Sequence, residues 1–572
     1  MTNAPGENGC NQTRLAEEIG DPMSSGLDRR AFLRAAGLGA LALTSRRWAW
    51  ATDQPSRRPN IVIIMADDMG FSDIGCFGGE INTPNINRLA AGGLRFTQFY
   101  NTARCCPTRA SLLTGLYPHQ AGIGHMVSDR GQPGYRGRLS DSCVTIAEPL
   151  RAAGYRTMLS GKWHVSPFNY EADVAPDRAT WPLQRGFDWF YGTIDGGGSY
   201  FCPQGLMRDN TRIKPQNPGF YYTDAISDEA AAHIRRAADE DRPFFLYVAY
   251  TAPHWPLHAL PQDIAKYDGR YDLGWDRIRA ARLKRLVSRG ILAAGSSLTD
   301  RDRRVLPWTD VKHKAWHAHN MAVYAAQVDR MDQGIGRIIT ALEQTGRFEN
   351  TLIFFLSDNG GCAEVLSGHW GGPNRRAHIQ RALPEGVLLR TGNDPSIETG
   401  GPDTFASYGI GWANASNTPF RLYKHWVHEG GIATPLIVHW PAGIEARGEL
   451  RRQPGHLIDL MPTCLAAAGA EYPRTFHQRP ITPLEGKSLI PAFADRPIER
   501  EALFWEHEGN RAIRVGQWKL VARGQAGPWE LYDLEADRIE TENLADQQPD
   551  RVRRMAAMWE DWARRANVVP RP

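Results

Sequence analysis

Two stretches of this 572-residue chain carry side chains whose types and spacing could do chemistry. The first runs from Cys105 to Gly115 and reads Cys-Cys-Pro-Thr-Arg-Ala-Ser-Leu-Leu-Thr-Gly. Pro107 suits a first helical position, where its missing N–H has no partner to lose, and the residues after it are good helix formers. Arg109 lies four residues after Cys105. One helical turn would therefore bring its guanidinium back toward the cysteine, beside unpaired N–H groups that favour an anion. An anionic substrate suits that place; a buried cysteine ahead of an ordinary helix is the alternative. The second signal is a pair of segments, Asp67-Asp68 and Asp358-Asn359, each directly after a bare apolar run. Ligands gather at the carboxyl ends of strands in open α/β sheets, and oxygen donors of this kind suit a hard cation. Each segment alone is also an ordinary solvated turn, and it is their pairing that favours the metal.

The elements that must position these groups are short apolar strands. Residues 61–65 precede Asp67, 156–159 precede Lys162 and His164, 244–250 precede His254, and 352–356 precede Asp358. A fifth strand, 435–439, follows Lys424 and a Glu429-Gly430-Gly431 turn. Continuous apolar runs of this length suit strands buried on both faces. Helical patterns alternate with them, as parallel crossovers require. Residues 317–343 form the clearest such helix, with Val323, Val328, Met331, Ile335 and Ile338 as its apolar stripe. His313, His317 and His319 have metal-like spacing but no carboxylate or cysteine nearby, so they read as a polar helix face. Trp255 and His258 are candidates for a substrate wall, with simple packing as the alternative. Residues 361–417, rich in Gly, Pro, Ser and Arg, read as loops over the site. Residues 455–468 read as a helix returning to the core, and from 503 short strands with turns suggest an antiparallel subdomain ending in a helix. The fold class expected is α/β: a large mixed, mostly parallel sheet flanked by helices, with a small C-terminal antiparallel sheet. The division expected is a leader over 1–51, a catalytic domain over 58–485 and the subdomain over 486–572.

Composition excludes little. With 67 basic and 63 acidic residues and no long charge block, neither nucleic acid nor an acidic membrane is implied as a partner. The eight cysteines lack the close pairs of a zinc site, and no disulfide map follows from them. At the N-terminus, Asp28-Arg29-Arg30-Ala31-Phe32-Leu33-Arg34, a modest apolar run and Ala49-Trp50-Ala51 resemble a twin-arginine export signal with its cleavage site. That resemblance implies export to a periplasm or beyond. The apolar run is too short to span a bilayer, so no stable membrane anchor is expected.

The core Cys105-x-Pro107-x-Arg109, followed by Leu112-Leu113-Thr114-Gly115, resembles the activation sequence of the sulfatase family. Gly161-Lys162-Trp163-His164, and Lys424 ahead of Glu429-Gly430-Gly431, match the same family, and the insertion around Gly269–Trp275 resembles its bacterial arylsulfatase branch. The resemblance covers the chain from about Asn60 onward and implies an alkaline phosphatase-like fold. It also implies that a formylglycine-generating or anaerobic sulfatase-maturating enzyme converts Cys105 to formylglycine, whose hydrate is the nucleophile. Asp67, Asp68, Asp358 and Asn359, with the modified Cys105, would hold a divalent cation. Calcium is favoured because the donors are oxygens, with magnesium as the alternative. Arg109 would hold the hydrate, Lys162 and Lys424 the sulfate, and His164 would take the proton that frees sulfate. His254 and Lys424 would serve the leaving oxygen. The activity implied is hydrolysis of aryl or carbohydrate sulfate esters. A phosphonate or phosphodiester hydrolase of the same superfamily, and a non-catalytic sulfoglycan-binding protein, are the alternatives.

Overall fold

Six apolar residues and one asparagine make strand β1 (Asn60–Ala66), and all seven are buried. This computed structural model describes residues 58–169, 176–215, 219–383 and 385–568. The leader expected over 1–51 and most of the linker after it lie outside the described residues. After β1 come β2 (Leu94–Tyr100), α1 (Cys105–Thr114), β3 (Arg156–Lys162), β4 (Trp189–Thr193), β5 (Leu206–Arg208) and β6 (Thr211–Arg212). Then follow α2 (Tyr222–Ala238), β7 (Phe244–Ala249), α3 (Gly274–Ser288), α4 (Lys314–Gln344) and β8 (Thr351–Ser357). Helices α5 (Gly372–Ala382) and α6 (Gly409–Ser416) lead to β9 (Ala433–His439), β10 (Glu449–Arg451), β11 (Gly455–His456) and α7 (Leu460–Ala468). The chain closes with β12 (Leu503–His507), β13 (Asn510–Val515), β14 (Trp518–Ala522), β15 (Glu530–Asp533) and α8 (Pro549–Arg565).

Among the described residues, β1 to β11 form one eleven-stranded sheet in the order β10-β2-β9-β8-β1-β7-β3-β4-β5-β6, with β11 also paired to β2. Its centre is parallel: β1 pairs β7 and β8, and β7 pairs β3. Alternate β1 residues enter two separate cores, Val62, Ile64 and Ala66 on one face and Ile61, Ile63 and Met65 on the other. Helices α2 and α4 cover the first face, and α1 and α7 cover the second. The α4 stripe Val323, Val328, Met331, Ile335 and Ile338 is fully buried. Each such side chain contributes about 1.5–3 kcal/mol relative to exposure, so an Asp there would break this layer.

Three departures from the sequence reading matter for the site. Strand β2, not among the expected five, is the element that delivers α1. Strand β9 runs antiparallel to both β2 and β8, so its start rather than its end lies at the edge where β8 ends in Asp358. That is why Lys424 can reach the edge from a position ahead of the strand. Residues 361–417 hold α5 and α6 between their loops, and 455–468 begins as β11 and turns helical from Leu457. The expected C-terminal antiparallel sheet is present as β12-β13-β14-β15, followed by α8.

Candidate active site

Register sets the carboxylates side by side. Ala66 of β1 pairs with Ser357 of β8, so the next residues, Asp67 and Asp358, leave the sheet as neighbours. The N–H of Asp68 donates to Asp358 Oδ1 at 3.1 Å, and Asn359 Nδ2 donates to Asp68 Oδ1 at 2.7 Å. Asp68 holds this position at a φ of 63°, a left-handed conformation that a non-glycine residue keeps only when its surroundings enforce it. All four residues are buried.

Three buried cations face them. Lys162 Nζ lies 2.5 Å from Asp67 Oδ2, and Lys424 Nζ lies 2.9 Å from Asp68 Oδ2. Arg109 donates to Asp358 Oδ2 at 2.8 Å and to the Lys162 carbonyl at 3.2 Å. Its hydrogen bonds therefore hold Asp358 and β3 together. Burial and the adjacent Asp358 hold the Asp67 carboxyl well above the usual carboxylate range. Burial pushes Asp68 the same way, but His254 and Lys424 outweigh it and its carboxyl lies below that range.

Helix α1 begins at Cys105, two residues before the expected start at Pro107. Pro107 is tolerated in the first turn because N–H groups there have no intrahelical partner to lose. The helix is buried along its whole length and closes at Gly115 with φ of 67°, where a Cβ would come within 2.6 Å of Leu484. Cys105 sits with Cys106 and His164, their ligand atoms all within 4.8 Å of one another. A hydrogen bond from Cys106 is the largest of the effects that hold the Cys105 thiol well below its usual pKa; Lys162 and His164 act in the same direction against burial. Burial depresses His164 to about 4 and His254 to about 4, so both imidazoles are neutral at pH 7 and able to accept a proton. His254 Nε2 lies 3.4 Å from both Asp68 Oδ2 and Lys424 Nζ.

The oxygens fit a hard cation on a test internal to the structure. Asp67 Oδ1 and Asn359 Oδ1 are buried and accept no hydrogen bond. Left so, each costs about 1–3 kcal/mol, and a divalent cation taking oxygen donors would remove that cost.

The ten residues expected to act as catalytic groups or metal ligands, Asp67, Asp68, Cys105, Arg109, Lys162, His164, His254, Asp358, Asn359 and Lys424, are thus all buried at one sheet edge. A profile of the family described as Sulfatase matches residues 59–470, and one described as N-sulphoglucosamine sulphohydrolase, C-terminal, matches 420–563. The chain belongs to the sulfatase family. An uncharacterized sulfatase of Schizosaccharomyces pombe is 34% identical over 90% of this chain and 95% of its own length. An arylsulfatase of Klebsiella aerogenes is 34% identical, covering 76% of this chain and 91% of that one. Among solved structures, Ps i-CgsB in complex with k-i-k-neocarrahexaose has a TM-score of 0.62 at 26% identity, over 89% of this chain and 93% of that one. The protein is accordingly a sulfuric ester hydrolase.

Other groups at this sulfatase site escaped the sequence reading. The Asp195-Gly196-Gly197-Gly198 segment after β4 lies against both histidines: a Cβ at Gly196 would fall 2.2 Å from His164, and one at Gly197 would fall 3.2 Å from His254. The glycine run directly after a strand was the available signal. Asp195 is buried there with its carboxyl pushed up to about 7 by burial, against Arg375 and Lys162. Of the expected wall, Trp255 meets the site through His254, with ring centroids 4.4 Å apart, whereas His258 is a packing residue whose Nε2 meets the Thr404 carbonyl at 2.6 Å. His319 likewise bonds the Thr399 carbonyl at 2.9 Å, consistent with a polar helix face.

Proposed function

We propose that this sulfatase cleaves aryl or carbohydrate sulfate esters through a formylglycine made from Cys105 by a formylglycine-generating or anaerobic sulfatase-maturating enzyme. The cation we propose is calcium, or magnesium, held by Asp67, Asp68, Asp358, Asn359 and the modified Cys105. The observation that carries the reading is the pair of buried, unpartnered oxygens on Asp67 and Asn359, in the same cluster as a cysteine at a helix N-terminus. The aldehyde hydrate would supply one hydroxyl whose oxygen bonds to sulfur as the S–O bond to the alcohol breaks, and a second whose deprotonation expels sulfate by C–O cleavage and restores the aldehyde. The cation supplies positive charge to the sulfate oxygens and lowers the pKa of the nucleophile.

The chain's own groups do the rest. Arg109, anchored on Asp358, orients the residue at 105 and opposes the burial that raises the Asp358 carboxyl. Lys162 and Lys424 bind the sulfate and offset charge spreading onto its oxygens in the transition state. His164, neutral and against Cys105, takes the proton that lets sulfate leave. His254 and Lys424 stand where the departing alcohol oxygen needs a proton or a positive charge. The complex of Ps i-CgsB with k-i-k-neocarrahexaose, and the arylsulfatase name of the Klebsiella aerogenes relative, support both substrate classes. The twin-arginine-like leader supports a periplasmic or secreted location, and we take 58–485 as the catalytic domain with 486–572 as its antiparallel subdomain. Relative kcat/KM on matched sulfate monoesters and phosphodiesters tests the reading. A sulfate preference is expected, and a strong phosphodiester preference would contradict it.

A further inference from the structure

The charged side chains around the catalytic cluster divide by exposure. Asp67, Arg109 and Lys162 have fully buried side chains, while those of Arg104, His425, Glu508 and Glu364 are 14%, 22%, 24% and 28% exposed. These four form a continuous path outward from Lys424. Glu364 Oε2 lies 3.9 Å from Lys424 Nζ and accepts from Trp255 Nε1 at 2.7 Å. Glu364 Oε1 is 3.0 Å from His425 Nε2, and His425 Nδ1 is 2.9 Å from Glu508 Oε2. Glu508 Oε1 in turn is 3.2 Å from His125 Nε2. Arg104, the chain neighbour of Cys105, rests against the His425 ring and lies 3.7 Å from Glu364. Trp255 and Trp370 meet edge to face at 4.9 Å on the aromatic side of the path.

Two of these residues sit in left-handed backbone, His425 at φ 86° and Glu508 at φ 54° in the turn between β12 and β13. Such positions cost about 1–3 kcal/mol each; at Glu508 the two-residue hairpin turn, with Gly509 at φ 82°, requires it. Behind Glu508, the buried His507 has neither ring nitrogen hydrogen-bonded.

We propose that this path is the leaving-group subsite, and that it selects the sulfate ester of a neutral, hydroxyl-rich sugar over an apolar aryl sulfate; this rests on sulfate ester cleavage at the adjoining cluster. The ester alcohol must lie on the solvent side of Lys424 and His254, which is where these groups stand. Carboxylates and imidazoles there accept and donate to hydroxyls, and the half-buried Trp255, rather than Trp370 with Phe405 stacked on it at 4.5 Å, can cover a sugar's apolar face. An aryl ring would desolvate Glu364 and Glu508 without giving either a hydrogen bond. Arg104 and Arg375, the latter over the Trp370 ring at 4.5 Å, are matched by Glu364 and Glu508, which leaves no surplus positive charge for a second sulfate or a carboxylate, so the sugar is neutral apart from the ester.

The test reads binding without turnover, in Cys105→Ala protein with calcium, by calorimetry with a panel of monosulfated methyl hexosides and with phenyl sulfate. At least one hexoside sulfate should bind more tightly than phenyl sulfate. Adding Glu508→Gln, or separately Glu364→Gln, should weaken the hexoside about tenfold and phenyl sulfate less, with thermal unfolding confirming that both variants fold. Tighter binding of phenyl sulfate than of every hexoside sulfate would overturn the proposal, as would hexoside affinities unmoved by both variants. Zinc retained by the protein and released by Glu508→Gln would overturn it too, making the cluster a metal site. Because nothing here depends on the aldehyde, failure of the subsite and failure of the Cys105 chemistry give different results.

Discussion

Two buried charge networks in this molecule use the same kinds of side chain and end differently. Around Lys519, the amine lies 2.7 Å from both Glu429 and Glu540, Arg538 closes on Glu429, and Glu540 accepts the Glu429 N–H at 2.9 Å. This network fastens the C-terminal sheet to the residues that start β9. At the catalytic edge, Asp67, Asp68 and Asp358 also face Lys162, Lys424 and Arg109, yet Asp67 Oδ1 and Asn359 Oδ1 have no partner. Titration separates Asp67 from the rest, since Asp68 lies below the usual carboxylate range as Glu540 does. Burial raises Glu540 but Lys519 outweighs it, leaving its carboxyl below the usual range, whereas Asp67 stays well above. A network whose carboxylate oxygens all face a cation or a donor is glue; one with the same balance of charge but with oxygens that face neither is a place for a cation and, beside it, an anionic substrate.

The comparison can be broken at several points. The largest effect expected is on turnover: Cys105→Ala should lower kcat by at least about 10⁴-fold, as loss of a nucleophile does, with unfolding unchanged. A variant retaining near-normal turnover would remove Cys105 from the chemistry. Next is Lys519→Met, which strands two buried glutamates. It should destabilise the fold by about 3–5 kcal/mol in denaturant titrations while turnover per folded molecule stays in the normal range. Third, calcium at a hundred times its Kd should add about 2.7 kcal/mol to wild-type and Lys519→Met stability and little to Asp67→Asn. Equal stabilisation of Asp67→Asn would place the cation elsewhere. The smallest effect belongs to His313, an exposed residue at the start of α4: His313→Asn should shift stability by no more than about 0.5 kcal/mol and leave metal content unchanged.

What could be read from the sequence was what is local. Bare apolar runs announce β1, β7 and β8, because strands buried on both faces have no polar period to hide in, and the residues just past their ends lie together in the candidate site. Strand β2, Leu-Arg-Phe-Thr-Gln-Phe-Tyr, mixes polar and apolar positions and gave no such signal. The start of α1 was placed at Pro107 because proline marks a first turn, but the marker has a tolerance of two residues. The antiparallel sense of β9 is a property of pairing, invisible in Pro435 to His439 itself. Least legible was the path from Glu364 through His425 to Glu508 and His125. Its members are each unremarkable in a loop or hairpin, and only tertiary folding brings residues this far apart in the chain into one line.

The most direct test of the account is the mass of the tryptic peptide from Cys105 to Arg109, taken from protein made in its native host together with its reactivity toward a hydrazide. The account predicts a peptide carrying an aldehyde at position 105 that forms a hydrazone. An intact, hydrazide-inert cysteine in a preparation that turns over sulfate esters would contradict it.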